Sequence, residues 1–478
     1  MKTTAITLLT ILCSFSMNAQ KNSNAKPNVI LIMCDDLGWG DVGFNGNEKI
    51  QTPNLDKLAS NGTVFTRFYA AGSVCSPTRA SCLTGRNSNR IGIPTANSGH
   101  MKPEEITIPE LLRDEGYATG HFGKWHLGTL TTKIKDANRG KPGDTSHYSI
   151  PAANGYDTYF VSESKVPTYD PMIVPEKFDK ERGESLRYGW AAYEGKSDPR
   201  RMKSYGTNYW IGEEVREDEN LDGDDSRVIM DRVIPFIKNA SDAGKPFYST
   251  IWFHTPHLPL VASEEYRNKY RNLSYQEQLL YASITMMDEQ VGRLWDYLES
   301  IGKADNTMLW FCSDNGPEVG TPGSSGPFRE RKRSLYEGGV RVPAFVIWPN
   351  GIKGNQIIDF PAVTSDYLPT INDFLKITYP DKDRPIDGIS LKKVLISGKR
   401  KRKEAIGFLF HKRMSWVTDR YKLISTDSGK TYELYDLIQD KSETKNIASS
   451  NQKLTVRMKS ELLEWVESCK RSEKGGDY

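Results

Sequence analysis

Three short apolar runs, each stopping at a cluster of polar residues, limit most tightly what this chain can fold into. Asn28-Val29-Ile30-Leu31-Ile32-Met33-Cys34 ends at Asp35-Asp36. Residues 246–253 end at His254, and residues 307–312 end at Ser313-Asp314-Asn315. Runs this short and this rich in β-branched and aromatic residues read as strands buried on both faces, since a half-exposed strand would alternate with polar residues. Between them lie helical patterns, for instance at 52–61 and 274–302. Strands alternating with helices predict an α/β domain with a central, mostly parallel mixed sheet between helices. Polar residues directly after such strands fall at their carboxyl ends, where open α/β sheets build their sites.

The rest of the chain divides around that domain. Residues 1–20 read as a signal peptide: Lys2 supplies the positive start, 5–15 are mostly apolar, and Met17-Asn18-Ala19 offers a cleavage site. The apolar stretch is too short to span a bilayer, and Leu12 before Cys13 argues against a lipoprotein. An exported protein, periplasmic or secreted, without stable membrane insertion is expected. Residues 27–385 read as the large α/β domain. Within it, 130–210 lack periodicity and read as a loop-rich insertion over one end of the sheet. Residues 386–478 form a small α+β C-terminal domain: short strands at 405–410, 414–417, 421–424 and 432–436 predict an antiparallel sheet, closed by an amphipathic helix at 454–468.

Charge excludes one class of partner. The 64 basic residues nearly balance 61 acidic ones, and no basic block is long enough for a nucleic-acid arm. The run Lys399-Arg400-Lys401-Arg402-Lys403 reads as a solvated loop. Beyond the leader the cysteines are Cys34, Cys75, Cys82, Cys312 and Cys469. An odd, scattered set is no disulfide framework, and the Cys75–Cys82 spacing is not that of a zinc site. Asp35, Asp36, Asp314 and Asn315 come from two distant strand ends. Three carboxylates and an amide oxygen suit a hard cation, calcium ahead of magnesium.

Cys75-Ser76-Pro77-Thr78-Arg79 continues into Leu83-Thr84-Gly85-Arg86. This pattern resembles the signature of the formylglycine-dependent sulfatases of the alkaline phosphatase superfamily. Other segments resemble that family too: Gly123-Lys124-Trp125-His126-Leu127-Gly128, His254-Thr255-Pro256-His257, Asn315-Gly316-Pro317-Glu318, and Lys332 to Pro343. In the last segment, spacing from Tyr336-Glu337-Gly338-Gly339 selects Lys332, with Arg333 as rival. Tyr432 to Leu437 and Glu443 to Ile447 resemble the C-terminal subdomain. The likeness spans about residues 27 to 450 and is weakest from 130 to 245.

The resemblance implies an alkaline phosphatase-like fold, oxidation of Cys75 by a maturase to formylglycine (3-oxoalanine), and one calcium ion held by Asp35, Asp36, Cys75, Asp314 and Asn315. A sulfate monoester is an anion, so Lys124, Lys332, Arg79 and the metal would meet its oxygens. The hydrated aldehyde would supply the nucleophile and form a sulfo-enzyme intermediate. His257 would protonate the leaving oxygen and His126 would help release sulfate. His254 reads equally as a support for the loop holding His257; His100, His121, His147 and His411 read as structural or peripheral.

For substrate, a sulfated polysaccharide or its oligosaccharides is expected, with algal ulvan or carrageenan first and glycosaminoglycans second. A phosphonate or phosphate ester hydrolase is the alternative reaction, and a non-catalytic sulfated-glycan binder the alternative class. Tyr188, Trp190, Tyr193, Tyr205 and Trp210 could stack on sugar rings, although core packing is the more common use of such rings. Arg187, Arg200 and Arg201 could meet further anionic groups.

Overall fold

The computed structural model describes residues 25–175, 203–398 and 401–478, together with the backbone of 190–193. The leader, Tyr188, Arg187, Arg200, Arg201, Lys399 and Arg400 lie outside the described residues, as do the side chains of Trp190 and Tyr193.

The three apolar runs form adjacent strands. Asn28–Cys34 sits at the centre of a ten-stranded sheet, parallel to Thr307–Ser313 on one side and to Phe247–Trp252 on the other. Ala118–Lys124 and Thr158–Ser162 extend the parallel core beyond Phe247–Trp252. Beyond Thr307–Ser313 lie the three-residue strands Phe345–Ile347, Thr63–Phe65 and Gln356–Ile358; beyond Thr158–Ser162 lie Tyr209–Gly212 and Val215–Glu217. Antiparallel pairs occur only toward the two edges, so the sheet is the mostly parallel mixed sheet expected.

The lack of alternation in Asn28–Cys34 has a direct structural cause. Ile30, Ile32 and Cys34 enter a core shared with helices Pro53–Asn61, Asp225–Asp242 and Tyr275–Ser300. Val29, Leu31 and Met33 enter the opposite core, with Cys75–Thr84, Ile108–Asp114 and Tyr367–Leu375. Every side chain is therefore removed from water, each large one stabilising by roughly 1.5–3 kcal/mol.

The C-terminal region forms a four-stranded antiparallel sheet, Ile406–Phe410, Arg413–Val417, Tyr421–Ser425 and Glu433–Asp436, in sequence order. Helix Gln452–Glu473 packs on it through Met458, Leu462 and Val466. Within the basic run Lys401 and Lys403 are exposed as expected, but Arg402 is buried and grips Asp366 with two bonds of 2.7 and 3.0 Å. A bidentate guanidinium–carboxylate pair outweighs the preference of a lone arginine for solvent. Trp210, offered as a sugar platform, is a core residue whose Nε1 donates to Asp136 at 3.0 Å, and Tyr205 is partly buried. The five cysteines are free and buried. Among the described residues no helix is long and apolar enough to cross a membrane.

Candidate active site

Parallel register brings the polar strand ends level. Cys34 lies opposite Ser313, so Asp35 and Asp314 leave the sheet side by side, and Asp314 N donates to Cys34 O at 3.0 Å. Gly123 lies opposite Trp252, which puts Lys124 beside the segment leading to His254 and His257. Cys75 opens the buried helix Cys75–Thr84, whose free N–H groups face the same end of the sheet. Lys332 arrives on a loop seated by close backbone contact. A Cβ on Gly316 would stand 1.9 Å from the Gly338 carbonyl oxygen, so the chain can approach only without side chains there. Arg333 N then donates to Ser73 O at 2.9 Å, beside the cysteine.

The side chains interlock by charge. Lys124 Nζ lies 2.6 Å from Asp35 Oδ2, and Lys332 Nζ lies 2.6 Å from Asp36 Oδ1. Arg79 Nη2 lies 2.6 Å from Asp314 Oδ2, with its guanidinium 5.1 Å from the Trp252 ring centre. The Cys75 thiol approaches Asp35 Oδ1 at 3.3 Å, and His257 Nε2 stands 3.6 Å from Asp36 Oδ2. Arg333, the rival to Lys332, is half exposed and forks onto Glu318 instead. Asp36 and His126 adopt left-handed backbone angles, φ 68° and 54°, a conformation non-glycine residues rarely hold outside over-determined sites.

These surroundings set protonation. Burial would push Asp35 up, but Lys124, His257, Arg79 and Lys332 hold its carboxyl well below the usual range. Burial and the neighbouring charge of Asp35 push Asp314 up to about 7. Burial, reinforced by the Asp314 and Asp35 charges, pushes the Cys75 thiol up, so it is protonated and a poor nucleophile as sulfur. His126 is held neutral by burial and by Lys124 and Arg139. Its Nε2 faces Asn97 Oδ1 at 3.3 Å, while Nδ1 is buried without a partner. His257 Nδ1 donates to Leu258 O at 2.5 Å, leaving Nε2 toward the cluster.

The donor set fits a hard cation. Asp35, Asp36, Cys75 and His257 each bring one ligand atom within 4.8 Å of the others. Asn315 donates through Nδ2 to Asp36 at 2.7 Å, but its Oδ1 is buried with no hydrogen-bond partner. A buried carbonyl oxygen left bare beside three carboxylates is what an ion would satisfy. Asp35, Asp36, Cys75 and His257 thus meet around one point, with Lys124, Lys332 and Arg79 against the carboxylates; Asp314 stands outside that group, its Oδ2 on Arg79 and its Oδ1 accepting from Asp36 N at 3.2 Å, and His257 joins the carboxylates more closely than its sequence position suggested.

Four supporting groups escaped the sequence reading. Asp225 Oδ2 holds His254 Nδ1 at 2.8 Å and Ser162 Oγ holds Nε2 at 2.7 Å, so His254 braces the loop that carries His257. Asn97 orients His126. Lys165 follows the strand Thr158–Ser162 and is half-buried beside Lys124 and Lys332. The strand-end rule could have found Lys165, but no motif marks it.

Comparison with known proteins finds a matching family and similar chains. Residues 27–377 match the family model described as Sulfatase, and residues 326–468 that described as N-sulphoglucosamine sulphohydrolase, C-terminal. Arylsulfatase G of Mus musculus is 32% identical over 401 residues, covering 80% of this chain and 71% of its own length. N-acetylgalactosamine-6-sulfatase of Sus scrofa is 29% identical over 425 residues, covering 83% and 71%. The crystal structure of Ps i-CgsB in complex with k-i-k-neocarrahexaose superposes with a TM-score of 0.76 at 26% identity, covering 92% of this chain and 93% of that one.

Proposed function

The chain belongs to the sulfatase family and is a sulfuric ester hydrolase, and from that premise we propose that it removes sulfate from a sulfated carbohydrate using formylglycine made from Cys75. The observation that carries this is the state of Cys75. Its thiol is protonated and buried, and its one hydrogen-bond partner, Asp35 Oδ1 at 3.3 Å, is a carboxylate held well below the usual range and so too weak a base to ionise it. Nothing there exploits sulfur, so the residue is a precursor to be oxidised by a maturase. Asp35, Asp36, Asp314 and Asn315 would hold one calcium ion beside the oxidised side chain. The ion and the hydrated aldehyde together supply an activated oxygen nucleophile.

The chain's own residues do the rest. Lys124 and Lys332, drawn from Asp35 and Asp36, present cations to the sulfate oxygens. Arg79, fixed by Asp314, orients position 75. His257, its Nδ1 held by Leu258 O, gives a proton from Nε2 to the leaving sugar oxygen. His126, neutral, accepts a proton at Nδ1 as sulfate departs.

Carrageenan oligosaccharides come first as substrate, supported by the likeness to a carrageenan-bound structure. Glycosaminoglycans come second, supported by the N-acetylgalactosamine-6-sulfatase relatives. Ulvan rests on the sequence resemblance alone. An exported location, periplasmic or secreted, follows from the reading of residues 1–20.

The test is to co-express the chain with a maturase, read the Cys75 peptide by mass spectrometry, and follow sulfate release from carrageenan, ulvan and chondroitin sulfate by ion chromatography. Aldehyde at position 75 with release from a glycan is expected, and Cys75→Ala should lose nearly all turnover while keeping the wild-type circular dichroism. Wild-type turnover in Cys75→Ala, or a large preference for phosphonate monoesters, would refute the assignment.

A further inference from the structure

Lys165 lies on a short bridge between two walls of the site. On one side, the residues before it continue the ladder: Trp125 N donates to Ser162 O at 2.9 Å and His126 N to Glu163 O at 3.0 Å. On the other, Thr168 N donates to Pro259 O at 3.2 Å, and Thr168 Oγ1 and Val261 exchange bonds of 2.8 Å. The lysine is thus held between the Lys124–His126 segment and the loop carrying His257. Both neighbours that share its charge are neutralised: Lys124 by Asp35, Lys332 by Asp36 and Glu318. Among the described residues Lys165 makes no ion pair of its own. It is also more exposed than Lys124 or Lys332, which are 1% and 5% accessible, so it stands nearer the mouth than the sulfate-binding pair.

A half-buried ammonium without a counter-ion is costly next to two other cations. Burial and those two lysines depress its pKa. An anion arriving with the substrate would relieve that cost, and the position beside His257 puts it on the leaving-group side of the sulfur. We propose that Lys165 reads a second anionic group, a sulfate or a carboxylate, on the sugar next to the scissile sulfate. This rests on the carbohydrate sulfatase assignment above and adds a selection for multiply charged substrates.

The experiment uses the matured enzyme and measures inhibition of 4-nitrophenyl sulfate turnover by three competitors: κ-carrageenan oligosaccharides, the more heavily sulfated ι-carrageenan oligosaccharides, and uronate-bearing ulvan oligosaccharides. Wild type is expected to bind at least one of the more highly charged competitors about tenfold more tightly than the κ series. Which one identifies the second anion as sulfate or carboxylate. Lys165→Met should abolish that preference, and Lys165→Arg should restore it. Equal inhibition by all three in wild type, a preference surviving in Lys165→Met, or loss of turnover matching the loss of affinity would overturn the proposal, the last because Lys165 would then serve the scissile sulfate itself. A lowered melting temperature in Lys165→Met with unchanged preference would reduce it to a structural residue. Sulfate release from the same oligosaccharides is scored separately, so failure of the carbohydrate assignment is not confused with failure of this one.

Discussion

Charge neutrality at single residues governs the chemistry available here. His257 is the clearest case. Burial and the positive charges of Lys332, Lys124 and Lys165 outweigh the pull of Asp35 and hold its imidazole well below its usual value. As the proposed acid it must carry a proton, and an acid with a depressed pKa carries one only toward low pH. The wild-type kcat/KM is therefore expected to fall as pH rises toward neutrality, and His257→Ala should lose that limb. Removing a general acid typically costs roughly 10²–10⁴-fold. The variant should lose about that on a carbohydrate sulfate, whose alkoxide leaves badly, and much less on 4-nitrophenyl sulfate, whose phenolate needs little help. Equal losses on the two substrates, measured as kcat in parallel assays, would place His257 in sulfate binding instead.

At the level of elements, the site depends on helices being fixed by other helices. Asp288, buried within Tyr275–Ser300, accepts from Asn54 N at 3.1 Å, Asn54 Nδ2 at 2.8 Å and Leu55 N at 2.8 Å. It caps Pro53–Asn61 from outside, a helix whose own Thr52 makes no side-chain cap. Asp288→Ala should cost about 1–2 kcal/mol, in line with the loss of a capping group, read as a lower melting temperature with the active-site chemistry intact. Long-range caps of this kind are invisible in a sequence, whereas local ones are not: Ser274 and Glu277 form the box that starts Tyr275–Ser300 where the pattern places it. The same distinction explains what was legible elsewhere. The central strands and the site at their ends could be read because apolar runs stopped abruptly at Asp35, His254 and Asp314. The three-residue strands Phe345–Ile347 and Gln356–Ile358 are too short to show a period. Arg402 looked solvated because Asp366, its partner, lies 36 residues away. Lys165 and Asn97 went unread because their meaning comes from neighbours that only the fold supplies.

Taken whole, the molecule joins its small antiparallel sheet to the large domain through buried charge as well as apolar contact. Phe408 packs its ring on Tyr69 at 6.1 Å, while Lys422, fully buried, reaches Glu337 and Glu443 at 3.0 Å each. Glu337 also accepts from Tyr69 and Arg341, at 2.9 and 3.1 Å, on the chain that leads from the Lys332 loop. Lys422 is thus shared by two carboxylates, of which Glu337 has Arg341 as a second cation, and burial pushes Glu443 up to about 7, against the pull of Lys422. A carboxyl raised in the folded state keeps a proton that the unfolded chain has already released, so folding stability falls as pH climbs from the ordinary carboxylate range to about 7. Lys422→Met removes the shared cation and leaves Glu443 buried without one, while Glu337 keeps Arg341; breaking comparable buried pairs costs about 3–5 kcal/mol. The loss should deepen as pH rises, because protonation of Glu443 can offset it only on the acid side. Calorimetric melting temperatures between about pH 5 and about pH 8 are expected to fall more steeply in Lys422→Met than in wild type. Adding Glu443→Gln should flatten the curve again. A pH-independent deficit in Lys422→Met would mean that the lysine contributes packing alone, and that the sheet is held to the large domain by its apolar contacts.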